Sequence, residues 1–325
     1  MVPYPTNEPQ LVSKDFNTGY SAVNAPYINN QSLHVALNTV LDGSQGVLAA
    51  DGKMHFTSTR LGTWAKGFGG FGRSNGDNVS DYGGVLGYGA RAGRHWVLGV
   101  ALSGSGTDTS SVYQRVNGHS FGGFAYGIYT HGHLRISGDL GGGVLTADST
   151  RDLLPTSLVA NGSTQGTFLG TGIQMQYLVP LDHAFLIPYG RMTYLHTALS
   201  AYTEHGAGLL DLQLGREATN IGDLTLGLRA GVDLHAQGLT WVPWVSAGGS
   251  ANVGTLHLNV LQKVGLAGAN ENIARTLVAP AGAFDPGLGL TVQGHGPWIA
   301  KFAWQGQYAG NTHYNTFDLI ARYQW

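Results

Sequence analysis

The sequence lacks cysteine altogether, so disulfide bonds, thiolate nucleophiles and zinc sites built on cysteine are excluded. It is also poor in charge, because Asp, Glu, Lys and Arg together make up 11% of the 325 residues, against about 25% in ordinary soluble domains. No stretch reaches the roughly 18 uninterrupted apolar residues that a membrane-spanning helix requires. If the chain crosses a membrane, it therefore does so with strands.

Signals for nucleic-acid binding and for catalysis are absent as well. The formal net charge of −2 provides no basic field for a phosphate backbone. The thirteen histidines form no HExxH or comparable ligand spacing, and most fall at turns, such as His131, His133 and His183. No GxSxG elbow occurs, and the glycine-rich segments precede no helix that could hold a phosphate. We therefore expect no enzymatic site, no cofactor, no metal and no nucleic-acid partner.

The first 60 residues differ from the rest of the chain. Residues 1–27 are rich in Pro, Asn, Ser and Tyr without a period, which predicts an extended linker. They hold no apolar core of a secretion signal, so we expect the chain to be the carboxy-terminal portion of a longer protein. Residues 28–60 are predicted to contain one helix and a connection to the first strand.

The predicted helix has apolar residues at helical spacing and ends at Gly43. Its apolar positions include Leu33, Leu37 and Leu41, and its polar positions include Asn29 and Asn30. A plug inside a barrel and a surface helix before a soluble domain are the two interpretations of this pattern.

Residues 61–325 alternate with period two, which indicates strands with two different faces. We count about twelve such runs. In the run 96–103, large apolar residues form one face, and small and polar residues occur only on the other. A charge at the bilayer midplane costs a barrel ~2 to 4 kcal/mol, so charged residues belong on the side of a water-filled lumen. The residues predicted to face the lumen are Arg135, Asp139, Arg191, Arg229, Asp233, Lys301, Asp318 and Arg322.

The sequence thus predicts an all-β fold, an antiparallel transmembrane β-barrel of about twelve strands over residues 61–325. Aromatic residues near the ends of the runs predict two interfacial girdles: Trp64, Tyr82, Trp96, Tyr129, Tyr177, Tyr194, Trp241, Trp298, Tyr323 and Trp325. Short turns are predicted on one rim, at 94–95, 131–133 and 180–183, and long loops on the other, at 149–164, 203–222 and 253–284.

Several segments, taken in order, resemble the autotransporter β-domain family. They are the helix before the first strand, Trp64 at the start of that strand, WVLGVAL at 96–102, FAYGIY at 124–129 and the terminal RYQW at 322–325. The resemblance covers roughly residues 28–325 and implies a helix threaded through a twelve-stranded barrel in the Gram-negative outer membrane. It also implies export and anchoring of an amino-terminal passenger at the cell surface.

The resemblance further implies three partners, which are outer-membrane lipid, the chain's own passenger and the barrel assembly machinery. That machinery reads an aromatic carboxy-terminal residue, and here Tyr323 and Trp325 provide this assembly signal, although Phe is commoner than Trp at the end. We expect a monomer. Some members cleave the passenger between two adjacent Asn residues with the help of lumenal acids, and Asn29-Asn30 with Asp139 look similar.

Two observations weaken the expectation of cleavage. Gly172 and Arg191 stand where further lumenal acids would be expected, so we expect a passenger that is uncleaved or processed elsewhere.

The alternative function is an outer-membrane diffusion porin or channel, which would share the barrel but not the helix. A soluble all-β binding protein is disfavoured, because its outward face would carry many more Lys and Glu residues.

Overall fold

The structure is a computed structural model. The residues that it describes are 33, 38, 47–50, 53–56, 62–74, 76–153, 157–264, 272–277, 279–294 and 296–324.

Twelve long antiparallel strands form a closed barrel, as the period-two pattern predicts. Each strand pairs with its neighbours in sequence, and β12 pairs with β1, which removes the free edges that lipid does not tolerate. The strands are β1 (Gly62–Ser74), β2 (Asp77–Ala92), β3 (Trp96–Ser110), β4 (Gln114–His131), β5 (Leu134–Leu153), β6 (Leu158–Tyr177), β7 (Ala184–Leu199), β8 (Glu217–Val232), β9 (Leu239–Gly254), β10 (Gly282–Gln293), β11 (Trp298–Ala309) and β12 (Thr312–Gln324).

The two faces of each strand differ in the way that the alternation predicts. Along β3, Leu98, Val100 and Leu102 are exposed on the outer surface, whereas Val97 and Ala101 are buried toward the lumen. The same division recurs around the ring, with large apolar side chains outward and polar or small ones inward. Among the described residues, no helix is both long and apolar enough to cross a lipid bilayer.

One rim carries short turns, and we call it the turn rim. Its reversals are at 93–95, 132–133, 182–183 and 237–238; they overlap the three predicted short turns, although residues 131 and 180–181 belong to strands. Gly132 has a φ of +56°, a left-handed conformation that glycine adopts without strain and that the tight β4–β5 reversal requires. Two strands of three residues, Val179–Leu181 and Leu234–Ala236, add short ladders at this rim.

The opposite rim, the loop rim, differs from the prediction. The segment 149–164 is not a loop, because β5 runs to Leu153 and β6 begins at Leu158. The predicted loops 203–222 and 253–284 are also too long, since β8 begins at Glu217 and β10 at Gly282. The reason is that the strands continue beyond the apolar band, where period two persists but large apolar residues no longer mark it.

The described parts of the connections 200–216 and 255–281 form a small sheet of their own at the loop rim. It pairs Tyr202–Thr203, Leu212–Leu214, His257–Val264 and Asn272–Leu277 in that order, with a 3₁₀ turn at Gly208–Leu210. Arg151 of β5 and Glu204 of the first connection form a buried ion pair between their side chains. This pair ties the sheet to the extended β5–β6 hairpin.

Two parts of the amino-terminal region are described. Leu33 is helical and buried against the lumenal core, and Asn38 is also helical. Val47–Ala50 and Lys53–Phe56 form a hairpin whose last residue, Phe56, packs against residues of β7 and β9. The predicted helix residues Asn29, Asn30, Leu37 and Leu41 lie outside the described residues.

Candidate functional site: the lumen of the barrel

A layer of aromatic side chains fills part of the lumen beside β1–β6. Trp64 and Tyr126 lie edge to face, with ring centroids 6.1 Å apart, and the indole Nε1 donates to the Tyr126 hydroxyl over 3.0 Å. Phe68, Phe124 and Phe168 extend this layer. The assignment of Trp64 to an interfacial girdle is therefore wrong. Its position along β1 has the inward parity of Lys66 and Phe68, and parity decides which face a residue joins.

Glycines on neighbouring strands make room for this aromatic layer. A Cβ atom added to Gly87 would collide with the Trp64 indole, and one added to Gly99 would collide with the Tyr126 ring. The sequence interpretation of these strand glycines as providers of lumen space agrees with this packing. The aromatic side chains of β1 and β4 thus pack against glycines of β2 and β3, which have no side chain to collide with them.

Charged side chains also occupy the lumenal face. Lys66 of β1 and Asp318 of β12 form an ion pair of 3.1 Å with both side chains buried. The predicted lumenal set included Asp318 but omitted Lys66, although its alternation with Trp64 and Phe68 would have placed it inward. Arg135, Asp139, Lys301 and Arg322 are buried at inward positions of their strands.

The remaining three predicted lumenal residues have mixed surroundings. Arg191 and Arg229 are half-buried at inward positions, and Arg191 Nη2 donates to Thr225 Oγ1 over 3.4 Å. Asp233 lies just past β8 at the turn rim, where its carboxylate is 3.4 Å from His183 and 3.6 Å from His235. It is buried, but it belongs to the rim rather than to the central lumen.

The surroundings of Asp139 bear on the expected absence of cleavage. Asp139 is paired across β5 and β6 with Gly172, and Arg191 is paired across β7 and β6 with Gln174. Of the two positions at which further acids would be expected, Gly172 is thus the direct neighbour of Asp139 on the barrel wall, and Arg191 lies two strands away on β7. The pair Asn29-Asn30 lies outside the described residues.

Near the turn rim, cations and aromatic rings surround a small cavity. The guanidinium carbon of Arg135 is 4.3 Å from the centroid of the Phe56 ring. Arg229 and Lys301 both face Trp244, at 4.4 Å and 5.4 Å from a ring centroid. In the described part of the chain, no group of three or more His, Asp or Glu side chains is placed to hold a metal.

Tyr323, one of the two residues of the predicted assembly signal, is described and lies at the carboxy-terminal end of β12. Tyr323 packs edge to face on Trp298 of β11, with ring centroids 4.9 Å apart, on the outer surface at the turn rim. Trp325 lies outside the described residues. Trp96 and Tyr129 form a similar outward pair, 5.1 Å apart, at the same rim, so this end of the barrel carries an aromatic belt.

Comparison with known proteins gives one family and a set of similar barrels. The autotransporter β-domain model matches residues 63–303. The translocator domain of the autotransporter NalP from Neisseria meningitidis superposes with a TM-score of 0.68 at 17% identity, covering 92% of this chain and 98% of that one. The β-domain of the Bordetella autotransporter BrkA gives 0.61 at 16% identity, covering 82% of this chain and all of that one.

The transport unit of the autotransporter AIDA-I from Escherichia coli gives a TM-score of 0.50 at 12% identity, with 92% of this chain and 99% of that one covered. At such identities the superpositions establish a common fold. No curated protein sequence matches the chain.

Proposed function

This chain belongs to the autotransporter β-domain family, and from that premise we infer that the lumen of its barrel guides a passenger outward and then retains the linker behind it. The barrel is an outer-membrane translocator and anchor. Because outer-membrane barrels have short periplasmic turns and longer external loops, the turn rim faces the periplasm and the loop rim faces the outside. The barrel's part in this process is transport, and we propose that it carries out no catalysis.

The observation that carries this proposal is the inverted distribution of side chains around the closed ring. Leu226 and Leu319 are exposed outward, whereas Lys66, Asp318 and Arg322 are buried around the lumen. Lipid solvates the first group and would penalise the second, so the ring suits a membrane and its lumen suits a polar chain. An extended segment or one helix is what a barrel of this size holds.

The filled lumen supports a translocator over a diffusion porin. Trp64, Phe124, Tyr126 and Phe168 occupy the interior beside β1–β6, and Leu33 of the amino-terminal region is buried among them. A diffusion porin needs an open aqueous path instead. We propose that residues 28–60 form the plug and its connection, that residues 1–27 are the linker to the passenger, and that residues 61–325 are the barrel.

Conductance of the reconstituted protein tests the plug. Removing residues 1–45 should raise single-channel conductance several-fold, because the deletion takes Leu33 out of the lumenal core. The matched control removes residues 1–27 only, which should leave conductance unchanged. Equal conductance of the full chain and the 1–45 deletion would contradict the plug, and a large open conductance of the full chain would favour the porin.

We propose that the barrel assembly machinery inserts the protein as a monomer and recognises its aromatic carboxy-terminal end. Tyr323 supports this proposal, because its ring lies outward beside Trp298 where another protein can reach it. Substituting both Tyr323 and Trp325 with alanine should reduce the amount of folded barrel in the outer membrane, measured by heat-dependent gel migration. Unchanged insertion of this variant, with Tyr308→Ala as the control at the other end of β11, would contradict the proposal.

We also propose that the passenger is not cleaved inside the lumen. The support is the wall beside Asp139, where Gly172 and Arg191 provide no second acid. Mass spectrometry of the mature outer-membrane form should therefore find no chain that begins at Asn30. Detection of that chain would contradict the proposal.

A further inference from the structure

An acidic side chain is buried at the loop rim without a partner. Glu217 is the first residue of β8, and it is 5% exposed. Both of its carboxylate oxygens are buried, and neither has a hydrogen-bond partner in the described part of the chain. A buried charge without a partner is costly, so a carboxyl group in these surroundings favours its neutral, protonated form.

Glu217 lies beyond the part of the wall that contacts lipid. Fifteen positions separate it from Val232 at the turn-rim end of β8, which is ~38 Å along the barrel axis for a tilted strand and exceeds the ~25 Å apolar band. The exposed residues that alternate with it on the outer face, Ala218 and Asn220, are small or polar. The loop-rim end of β8 therefore stands in water.

The connection 200–216 packs beside Glu217. Glu217 pairs with Leu199 across β7 and β8, so it stands at the base of this connection. Tyr202 of the connection is its neighbour, because burial raises the pKa of Tyr202 and the carboxyl groups of Glu217 and Glu204 raise that pKa further. Movement of the connection away from the wall would therefore expose Glu217 to water.

The cation buried in this region has another partner. Arg151 donates through Nε and Nη2 to the two carboxylate oxygens of Glu204, and among the described residues no ion pair reaches Glu217. The other charged or titratable side chains on the segments packed around Glu217 are Tyr202, His205, Asp211, Arg216 and Lys263. Of these, His205, Arg216 and Lys263 are exposed. Burial without a compensating charge raises the pKa of Glu217 to about 8.

We propose that Glu217 makes the packing of the connection 200–216 against the barrel wall depend on pH, so that the connection is held closed while Glu217 is protonated and opens more often as the pH rises. Because the loop rim faces the outside, the external medium sets this pH. The closure does not require passenger transport, and it can be measured on the isolated barrel whichever rim is external.

The direction of the dependence follows from the two states of the connection. In the open state Glu217 is in water, and its pKa returns to the ordinary value of 4.5. Opening therefore releases a proton between about pH 4.5 and 8, and each pH unit in this window raises the open population by up to about tenfold. Below the window the carboxyl group is protonated in both states, and above it ionised in both, so the dependence disappears.

Limited proteolysis of the folded barrel in detergent tests this closure between pH 5 and 9. The rate of proteinase K cleavage within 200–216 is divided by the rate on a free peptide of the same sequence, which corrects for the protease and for titration of His205 and Asp211. At low protease concentration this ratio follows the open population. We expect the ratio to rise on the order of 50-fold between pH 5.5 and 7.5 and to level off above about pH 8.

Variants assign the pH dependence to Glu217. Glu217→Gln and, separately, Glu217→Leu remove the titrating group, and the ratio should then stay flat in each variant that shows heat-dependent gel migration of a folded barrel. Arg216→Gln is the matched control, because it removes an exposed charge next to Glu217 and should keep the slope of the parent protein. A flat ratio in the parent protein would overturn the proposal, and so would a slope that persists without Glu217.

Discussion

Replacing Arg151 with methionine should detach the connection 200–216 from the barrel wall and cost about 3 to 5 kcal/mol, the range for removing one partner of a buried ion pair. The Glu204 carboxylate is fully buried, and Arg151 Nε donates to its Oε1 over 3.2 Å. Its other oxygen accepts the backbone N–H of Leu212 over 3.0 Å. Without Arg151, the buried Glu204 carboxylate would keep only one backbone donor. We therefore expect the connection to open and expose this carboxylate to water.

Limited proteolysis of the folded barrel in detergent measures that opening. Cleavage within 200–216 should become fast in Arg151→Met and remain slow in the parent protein. The matched control is the double variant Arg151→Met with Glu204→Gln, which removes both charges and should recover much of the protection. Equal protection of the single variant and the parent would contradict the structural role of the pair.

Placing a charge on the outer surface should produce the second large effect. Leu226→Arg is expected to destabilise the barrel in lipid vesicles by ~2 to 4 kcal/mol, the cost of Arg near the bilayer midplane. Leu226 is 61% exposed on β8. It lies six positions from the turn-rim end of β8, which is ~15 Å along the barrel axis for a tilted strand and so near the middle of a ~25 Å apolar band.

Equilibrium unfolding in denaturant gives this difference directly, with Leu226→Met as the apolar control. The neighbouring residue Thr225 is buried toward the lumen, where Arg191 already donates to its hydroxyl. At this level of the barrel, the inner face of the wall therefore already holds a cation, Arg191. A cation on the outer face should destabilise the protein. If Leu226→Arg were as stable as Leu226→Met, the outer surface would not be in contact with lipid.

The barrel itself could be predicted from the sequence because the bilayer imposes a rule on every residue of a strand. A residue such as Leu98 or Leu319 must be apolar where it meets lipid, and its neighbours are free to be polar. The rule explains why the strand number and the inward direction of Arg135 and Lys301 can be obtained from alternation alone. It also explains why the prediction weakens outside the membrane.

The loop rim could not be predicted for the same reason. Beyond the bilayer both faces of a strand meet water or protein, so Asp148, Thr150 and Asp152 of β5 resemble a loop in sequence although they are strand residues. The pairing of Arg151 with Glu204 depends on how the connection 200–216 folds back, which no local pattern encodes. Trp64 was assigned to the wrong place because aromatic residues suit both an interface and a packed lumen.

Hydrogen bonding between β1 and β12 sets the order of events in biogenesis. The first barrel strand finds its second neighbour only when β12 has been synthesised, so the ring closes after all twelve strands are present. Contacts between residues so distant in sequence form slowly. A passenger that precedes β1 is therefore synthesised before the barrel through which it is exported can close.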